Sequence, residues 1–138
     1  MATTEKKPRP VPTPTRTTTP FWEAAKEGRF LLQYDPAAGK YQFWPRPVSV
    51  HSGSRKLEWR ESSGRGKLAA STTVRVPHRG FDDIVPFVLA SVDLEEGVRV
   101  VSRLIGVAPD QVKPGMKLKI CWEDLPNGAR FYAFERDA

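Results

Sequence analysis

Met116-Lys-Leu-Lys-Ile-Cys-Trp122 alternates apolar and other residues without a break, a period of two that suits one buried face of a β-strand and no helix. Four further runs share that character. Gly66–Pro77 is long and β-branched towards its end, and Val85–Leu94 is apolar enough for a central strand, with Pro86 near its start where proline is tolerated. Val98–Ile105 follows a tight Glu95-Glu96-Gly97 turn, and Ala129–Phe134 follows the hairpin turn Asp124-Leu-Pro-Asn-Gly128. Between the third and fourth runs, Ala108–Gly115 reads as a helical turn or loop. Five strands in roughly seventy residues, with that one interruption, are the pattern of a small Greek-key barrel of the OB type. A generic five- or six-stranded barrel is the alternative.

The residues ahead of the barrel carry different signals. Thr19-Pro20-Phe21-Trp22-Glu23-Ala-Ala-Lys-Glu27-Gly28 predicts a short helix, capped by Thr19, with proline at its first position and Gly28 as its left-handed stop. Phe21, Trp22 and Ala25 share one face, and so short a helix must dock on something apolar. Arg29–Tyr34, Lys40–Phe43 and Lys56–Glu61 read as short strands. They frame two knuckles of the same shape, Asp35-Pro-Ala-Ala38-Gly39 and Ser49-Val-His-Ser52-Gly53. Each is a small or polar residue, two spacers, another small residue and a glycine. That is the outline of a metal-binding knuckle, yet neither contains a cysteine.

Composition matters chiefly at the N-terminus. The first twenty residues include five prolines and seven threonines, which offer too little apolar surface to offset their ordering entropy. Residues 1–19 therefore read as a disordered tail or linker, residues 20–61 as the helix with its knuckled ribbon, and residues 62–138 as the barrel. A linker just before the helix also suits a chain that is, or descends from, the C-terminal half of a fused protein. Lys6, Lys7, Arg9 and Arg16 against Glu5 place half of the net charge of +6 in that tail. The barrel and ribbon are only mildly basic, which argues against nucleic acid as the partner. No apolar run is long enough to cross a membrane, and the expectation is a soluble, cytoplasmic protein. Cys121, the one cysteine, reads as a small buried apolar residue of its strand.

Independent catalysis finds little support. The histidines are His51 and His78 only, and no nucleophile elbow, Ser-x-x-Lys or phosphate-cradling glycine loop is present. Asp82 and Asp83 lie side by side in a polar loop, where adjacent carboxylates are solvated rather than split in pKa. Single-stranded nucleic-acid binding is the alternative function. It would use Trp122, Phe131 and Tyr132 as stacking platforms beside Lys119 and Arg130.

In order and spacing, several stretches together resemble the acyl-CoA-associated zinc-ribbon and OB-fold family known as domain of unknown function 35. They are Pro20-Phe21-Trp22-Glu23 with Gly28-Arg29-Phe30, Gly39-Lys-Tyr-Gln-Phe43 with Pro45-Arg46-Pro47, Leu57-Glu58-Trp59, Ser63-Gly64-Arg65-Gly66, Val85–Ala90, Leu94–Gly97 and Leu104-Ile105-Gly106. The resemblance implies a structural zinc held by two Cys-x-x-Cys knuckles. The corresponding positions here are Asp35, Ala38, Ser49 and Ser52, and alanine and neutral serine do not make a zinc site. The expectation is a degenerate, metal-free ribbon whose knuckles persist as turns packed by Tyr41, Phe43, Trp44 and Trp59.

The resemblance also implies a role. Such chains support a thiolase-like enzyme, a thiolase-fold aldolase or a MaoC-type hydratase, as in steroid side-chain or other lipid degradation, and help shape the passage for acyl-CoA. This chain is then expected to have no catalysis or cofactor of its own and to work in a hetero-oligomer with the enzyme. Phe21, Trp22, Phe43, Trp44 and Arg46 are the candidate partner interface, since aromatic and arginine anchors are enriched there. Arg60, Arg65, His78, Arg79 and Arg103 are the candidates for contact with acyl-CoA, the arginines as forked donors to its phosphates.

Overall fold

The computed structural model describes residues 9–137. Helix α1, Thr19–Lys26, begins one residue before the sequence reading, with Thr18 as its cap residue. The shift has a local cause. Thr15 and Thr18 close a turn of their own, Thr15 N donating to Thr18 Oγ1 at 2.8 Å and Thr18 N to Thr15 O at 3.1 Å. At the other end Gly28 sits at φ +74, so Gly28 N reaches Ala25 O and Arg29 N reaches Ala24 O, each at 3.0 Å. That left-handed exit is why the chain can turn straight into the ribbon.

The ribbon is an antiparallel sheet in the order β2-β1-β3, from β1 (Leu31–Asp35), β2 (Lys40–Gln42) and β3 (Glu58–Glu61). The barrel follows, with β4 (Arg65–Val74), β5 (Phe87–Leu94), β6 (Arg99–Leu104), β7 (Lys117–Asp124) and β8 (Arg130–Arg136). It closes in the order β4-β5-β6-β8-β7, and β7 returns to β4. Every pairing is antiparallel except β6 with β8, which run parallel through the one residue pair Leu104 and Phe134. Short as it is, that seam is reinforced by the buried Ser102 hydroxyl donating to Tyr132 O at 2.6 Å and by Ile105 N donating to Phe134 O at 2.8 Å. The interruption between β6 and β7 is a 3-10 turn, Pro109–Gln111. The OB-type reading of the sequence therefore holds, strand by strand.

Helix, ribbon and barrel share one core. Phe21, Ala25, Phe30 and Leu32 from the first part are buried in the same cluster as Leu68, Val92, Val100, Leu118, Tyr132 and Phe134 from the barrel. The junction is pinned by Glu96, whose carboxylate accepts from the Ser62 hydroxyl at 2.7 Å and from Ser63 N at 2.9 Å. The linker expectation covers residues 1–19, of which 1–8 lie outside the described residues. Residues 9–18 run against the barrel instead of away from it. Val11 and Pro12 are half-buried, and the Arg9 guanidinium sits 5.5 Å from the centre of the Phe81 ring.

Candidate functional site

The two knuckles are built alike. In the first, Gly39 N donates to Asp35 O at 2.8 Å, and in the second Gly53 N donates to Ser49 O at 2.9 Å. Both glycines have positive φ, +67 and +74, which lets a single turn close. Each first residue also caps its own turn with a side-chain oxygen. Asp35 Oδ1 accepts from Ala37 N at 2.9 Å and Ala38 N at 3.3 Å, while Ser49 Oγ accepts from His51 N at 3.0 Å and Ser52 N at 3.3 Å. The knuckles then meet at one atom, because the hydroxyls of Ser49 and Ser52 both donate to Asp35 Oδ2, at 2.5 and 2.6 Å.

Asp35 is fully buried. The Ser49 hydroxyl, then the Ser52 hydroxyl, hold its carboxyl below the usual carboxylate range against the opposing effect of burial. The knuckles do persist as turns, and Tyr41, Phe43, Trp44 and Trp59 do pack against the core. What joins them, however, is this carboxylate, which the sequence reading places only as one of the four positions that correspond to zinc ligands. His51 turns away, its Nε2 lying 2.9 Å from Tyr41 O.

A second set of buried side chains holds the loop after β2. Gln33 and Gln42 face each other across β1 and β2, and Gln42 Nε2 donates to Gln33 Oε1 at 2.7 Å. Gln33 exchanges two bonds with the backbone of Arg46, at 2.8 and 2.9 Å, and Gln42 reaches Val48 O and Val50 N. Four backbone groups of the loop are thus satisfied without belonging to any sheet.

The expected partner residues separate. Phe21 has no exposure and Trp22 has 6%, so both are core residues, a correction to their assignment as interface anchors. Phe43 and Trp44 are half-buried against the same cluster, and Arg46 alone of the five is exposed. The expected acyl-CoA contacts do not form one clamp. Arg60 lies 3.6 Å from the centre of the Tyr34 ring and pairs with Glu58 at 2.9 Å. Arg65 borders a cleft at the start of β4 with Asp93, Glu95, Lys117 and Asp137. His78 and Arg79 are exposed in the β4–β5 loop, and Arg103 is held on the barrel by an ion pair with Glu123.

That ion pair lies in the most apolar concavity described, a groove of about 360 Å³ on the outer barrel face. Phe81, Phe87, Leu89, Val101, Leu125 and Phe131 line it, with Arg9 and Pro10 at its edge. Val101 projects outward from β6 and is half exposed. The sequence hides this surface because its residues come from four strands, two loops and the N-terminal segment, and each looks like an ordinary strand or loop residue. The groove suits an apolar segment of another molecule, and its ion pair offers a polar reference point. Among the described residues no three His, Cys, Asp or Glu side chains converge as a metal site.

Cys121 is half-buried rather than fully buried. Burial first, then Glu135 and Glu123, push its thiol up to about 11 from 9.0. Its thiolate fraction near neutral pH is thus about 100-fold below that of an ordinary cysteine. Iodoacetamide at pH 8 is expected to label the folded protein about 100-fold more slowly than the urea-unfolded chain. Equal rates would show that this environment does not exist in solution. The stacking platforms of the nucleic-acid alternative are largely engaged with the fold, Trp122 and Phe131 being half-buried and Phe131 also lining the groove. Tyr132 is buried, Phe131 stacks on it with ring centres 4.4 Å apart, and Trp122 packs on the core.

A closed five-stranded OB barrel, joined through a common core to a helix and a knuckled ribbon, defines the class of this chain. The family model for the C-terminal OB-fold domain of ChsH2 matches residues 59–123. A DUF35 domain-containing scaffold protein of Pyrococcus furiosus is 36% identical over 100 residues, covering 72% of this chain and 74% of that protein. The chain belongs to the DUF35 family.

Among curated relatives, a probable enoyl-CoA hydratase alpha subunit of Thermomonospora curvata is 35% identical over 86% of this chain and 38% of its own length. The 3-oxo-4,17-pregnadiene-20-carboxyl-CoA hydratase alpha subunit of Mycobacterium tuberculosis is 34% identical over 91% of this chain and 40% of its own length. The chain therefore spans about two fifths of these hydratase subunits. Among solved structures, a chain of the Ltp2-ChsH2(DUF35) aldolase superposes with TM-score 0.81 at 30% identity, covering 91% of this chain and 98% of that one. A DUF35 protein of unknown function from Sulfolobus solfataricus, at 16% identity and TM-score 0.62, shares the fold.

Proposed function

We propose that this chain is a non-catalytic accessory subunit that docks on an acyl-CoA-processing enzyme of the aldolase, thiolase-like or hydratase class. The observation that carries this reading is the near-complete superposition on a chain of the Ltp2-ChsH2(DUF35) aldolase, supported by relatives named as scaffold proteins and hydratase alpha subunits. The steroid acyl-CoA named for one relative makes a steroid-derived thioester the first substrate to try. The enzyme partner would meet the exposed ribbon loop at Arg46 and the apolar groove at Val101. Acyl-CoA would belong mainly to that enzyme, since Arg60, Arg65 and Arg103 stand in separate neighbourhoods and form no shared phosphate clamp.

The test is affinity capture of the tagged 138-residue chain from its native host, with mass spectrometry and light scattering of the eluted complex. The expected result is stoichiometric recovery of a thiolase-fold or hydratase-fold protein that turns over an acyl-CoA ester. Val101→Asp, at an exposed position, is expected to weaken that recovery about tenfold or more by placing a charge in the apolar seat, with no change in melting temperature. Recovery of the chain alone, or with nucleic acid, would overturn the reading.

A further inference from the structure

The family resemblance implies zinc at the knuckles, but the donor set found there does not fit it. One of the four positions is Ala38, which has no ligating atom. Two more are Ser49 and Ser52, whose hydroxyl protons are already committed to the fourth, Asp35. A tetrahedral zinc site needs four thiolate, imidazole or carboxylate ligands, and this cluster offers one carboxylate.

The same atoms make a complete hydrogen-bonded unit. Asp35 Oδ1 takes the two amides of its own turn, and Asp35 Oδ2 takes both hydroxyls of the other. Ser49 Oγ meanwhile takes the two amides of the second turn. An oxygen thus occupies each capping role, and a shared carboxylate occupies the joining role. Bonds to an ionised acceptor are the strong ones, and they are stronger still away from water.

We propose that a carboxylate–hydroxyl clasp of Asp35 with Ser49 and Ser52 joins the two knuckles in place of a metal ion. The ribbon then assembles without zinc, and it resists the chelators and thiol oxidants that dismantle a four-cysteine ribbon. Asp35 and Ser49 are buried while Ser52 stands at the exposed edge, so loss of the carboxylate leaves the Ser49 hydroxyl without its acceptor and must loosen the second knuckle and the loop before it.

The experiment uses the purified 138-residue chain. After unfolding and refolding with EDTA or with added zinc, both samples are expected to show the same melting temperature, with fewer than about 0.1 zinc atoms bound per chain. Asp35→Ala removes the acceptor of four donors, of which the Ser49 hydroxyl is buried, and is expected to lower the melting temperature by about 5 °C or more. The quadruple change D35C/A38C/S49C/S52C is expected to bind cobalt with the absorption of tetrahedral thiolate ligation, and to melt at a temperature that falls with EDTA. Stoichiometric zinc in the refolded wild type, its unfolding by EDTA, or an unchanged melting temperature for Asp35→Ala would each overturn the proposal. Should the quadruple variant not fold, the wild-type metal content and Asp35→Ala still decide it.

Discussion

Phe21→Ala is expected to cost about 4 kcal/mol of unfolding free energy, within the range of about 3–5 kcal/mol for removing a fully buried phenylalanine. The Phe21 side chain has no exposure, and its ring meets those of Trp22, Phe30, Phe43, Trp44 and Tyr132 at 4.9 to 6.0 Å between centres. Those rings come from the helix, the ribbon and the barrel. The cavity left behind would open where all three meet and cannot be closed by one element relaxing. Urea unfolding followed by tryptophan fluorescence measures the loss. Arg46→Ala, at an exposed position, should stay within about 0.5 kcal/mol of wild type in the same assay. A loss below about 1 kcal/mol for Phe21→Ala would return that residue to the partner surface.

The second large effect is expected at Gly66, for a different reason. Gly66 is paired on both sides, with Leu94 of β5 and Leu118 of β7. A Cβ added there would fall inside the contact distance of the Asp93 carbonyl oxygen and lie 2.9 Å from a Val92 methyl. The obstacle is backbone in a closed barrel, so no side-chain rotation relieves it. Gly66→Ala is expected to destabilise by about 2–3 kcal/mol, the usual cost of overpacking. Lys67→Ala, at the exposed next position, should remain within about 0.5 kcal/mol. Thermal melts of the pair decide the matter, and equal melting temperatures would mean that β4 stands further from β5 than described.

The barrel was legible in the sequence because each strand carries its own signal. The alternation of Met116–Trp122 and the turns at Glu95–Gly97 and Asp124–Gly128 are local, and local periodicity survives folding. The knuckles were legible as turns for the same reason, through their glycines. What joins them was not. Asp35 meets Ser49 and Ser52 from 14 and 17 residues away, and nothing in either knuckle says that their side chains converge. The aromatics posed a related difficulty. A Phe-Trp pair on a short helix looks the same whether it awaits a partner or meets Tyr132 near the other end of the chain. Here tertiary packing settled it, and the helix lays its apolar face on the protein's own core. The groove was illegible outright, since Leu89, Val101 and Phe131 become neighbours only when β5, β6 and β8 close.

The glutamine pair that steadies the loop after β2 has a consequence for how such a surface can diverge. Gln33 and Gln42 grip the loop by its peptide groups at Arg46, Val48 and Val50 and ask nothing of the side chains there. Arg46, Pro47 and Val50 are exposed. Shape and chemical identity are therefore written by different residues. Substitutions along the rim can change which molecule is recognised while the path of the chain stays the same, so selection can retarget this edge without having to refold it.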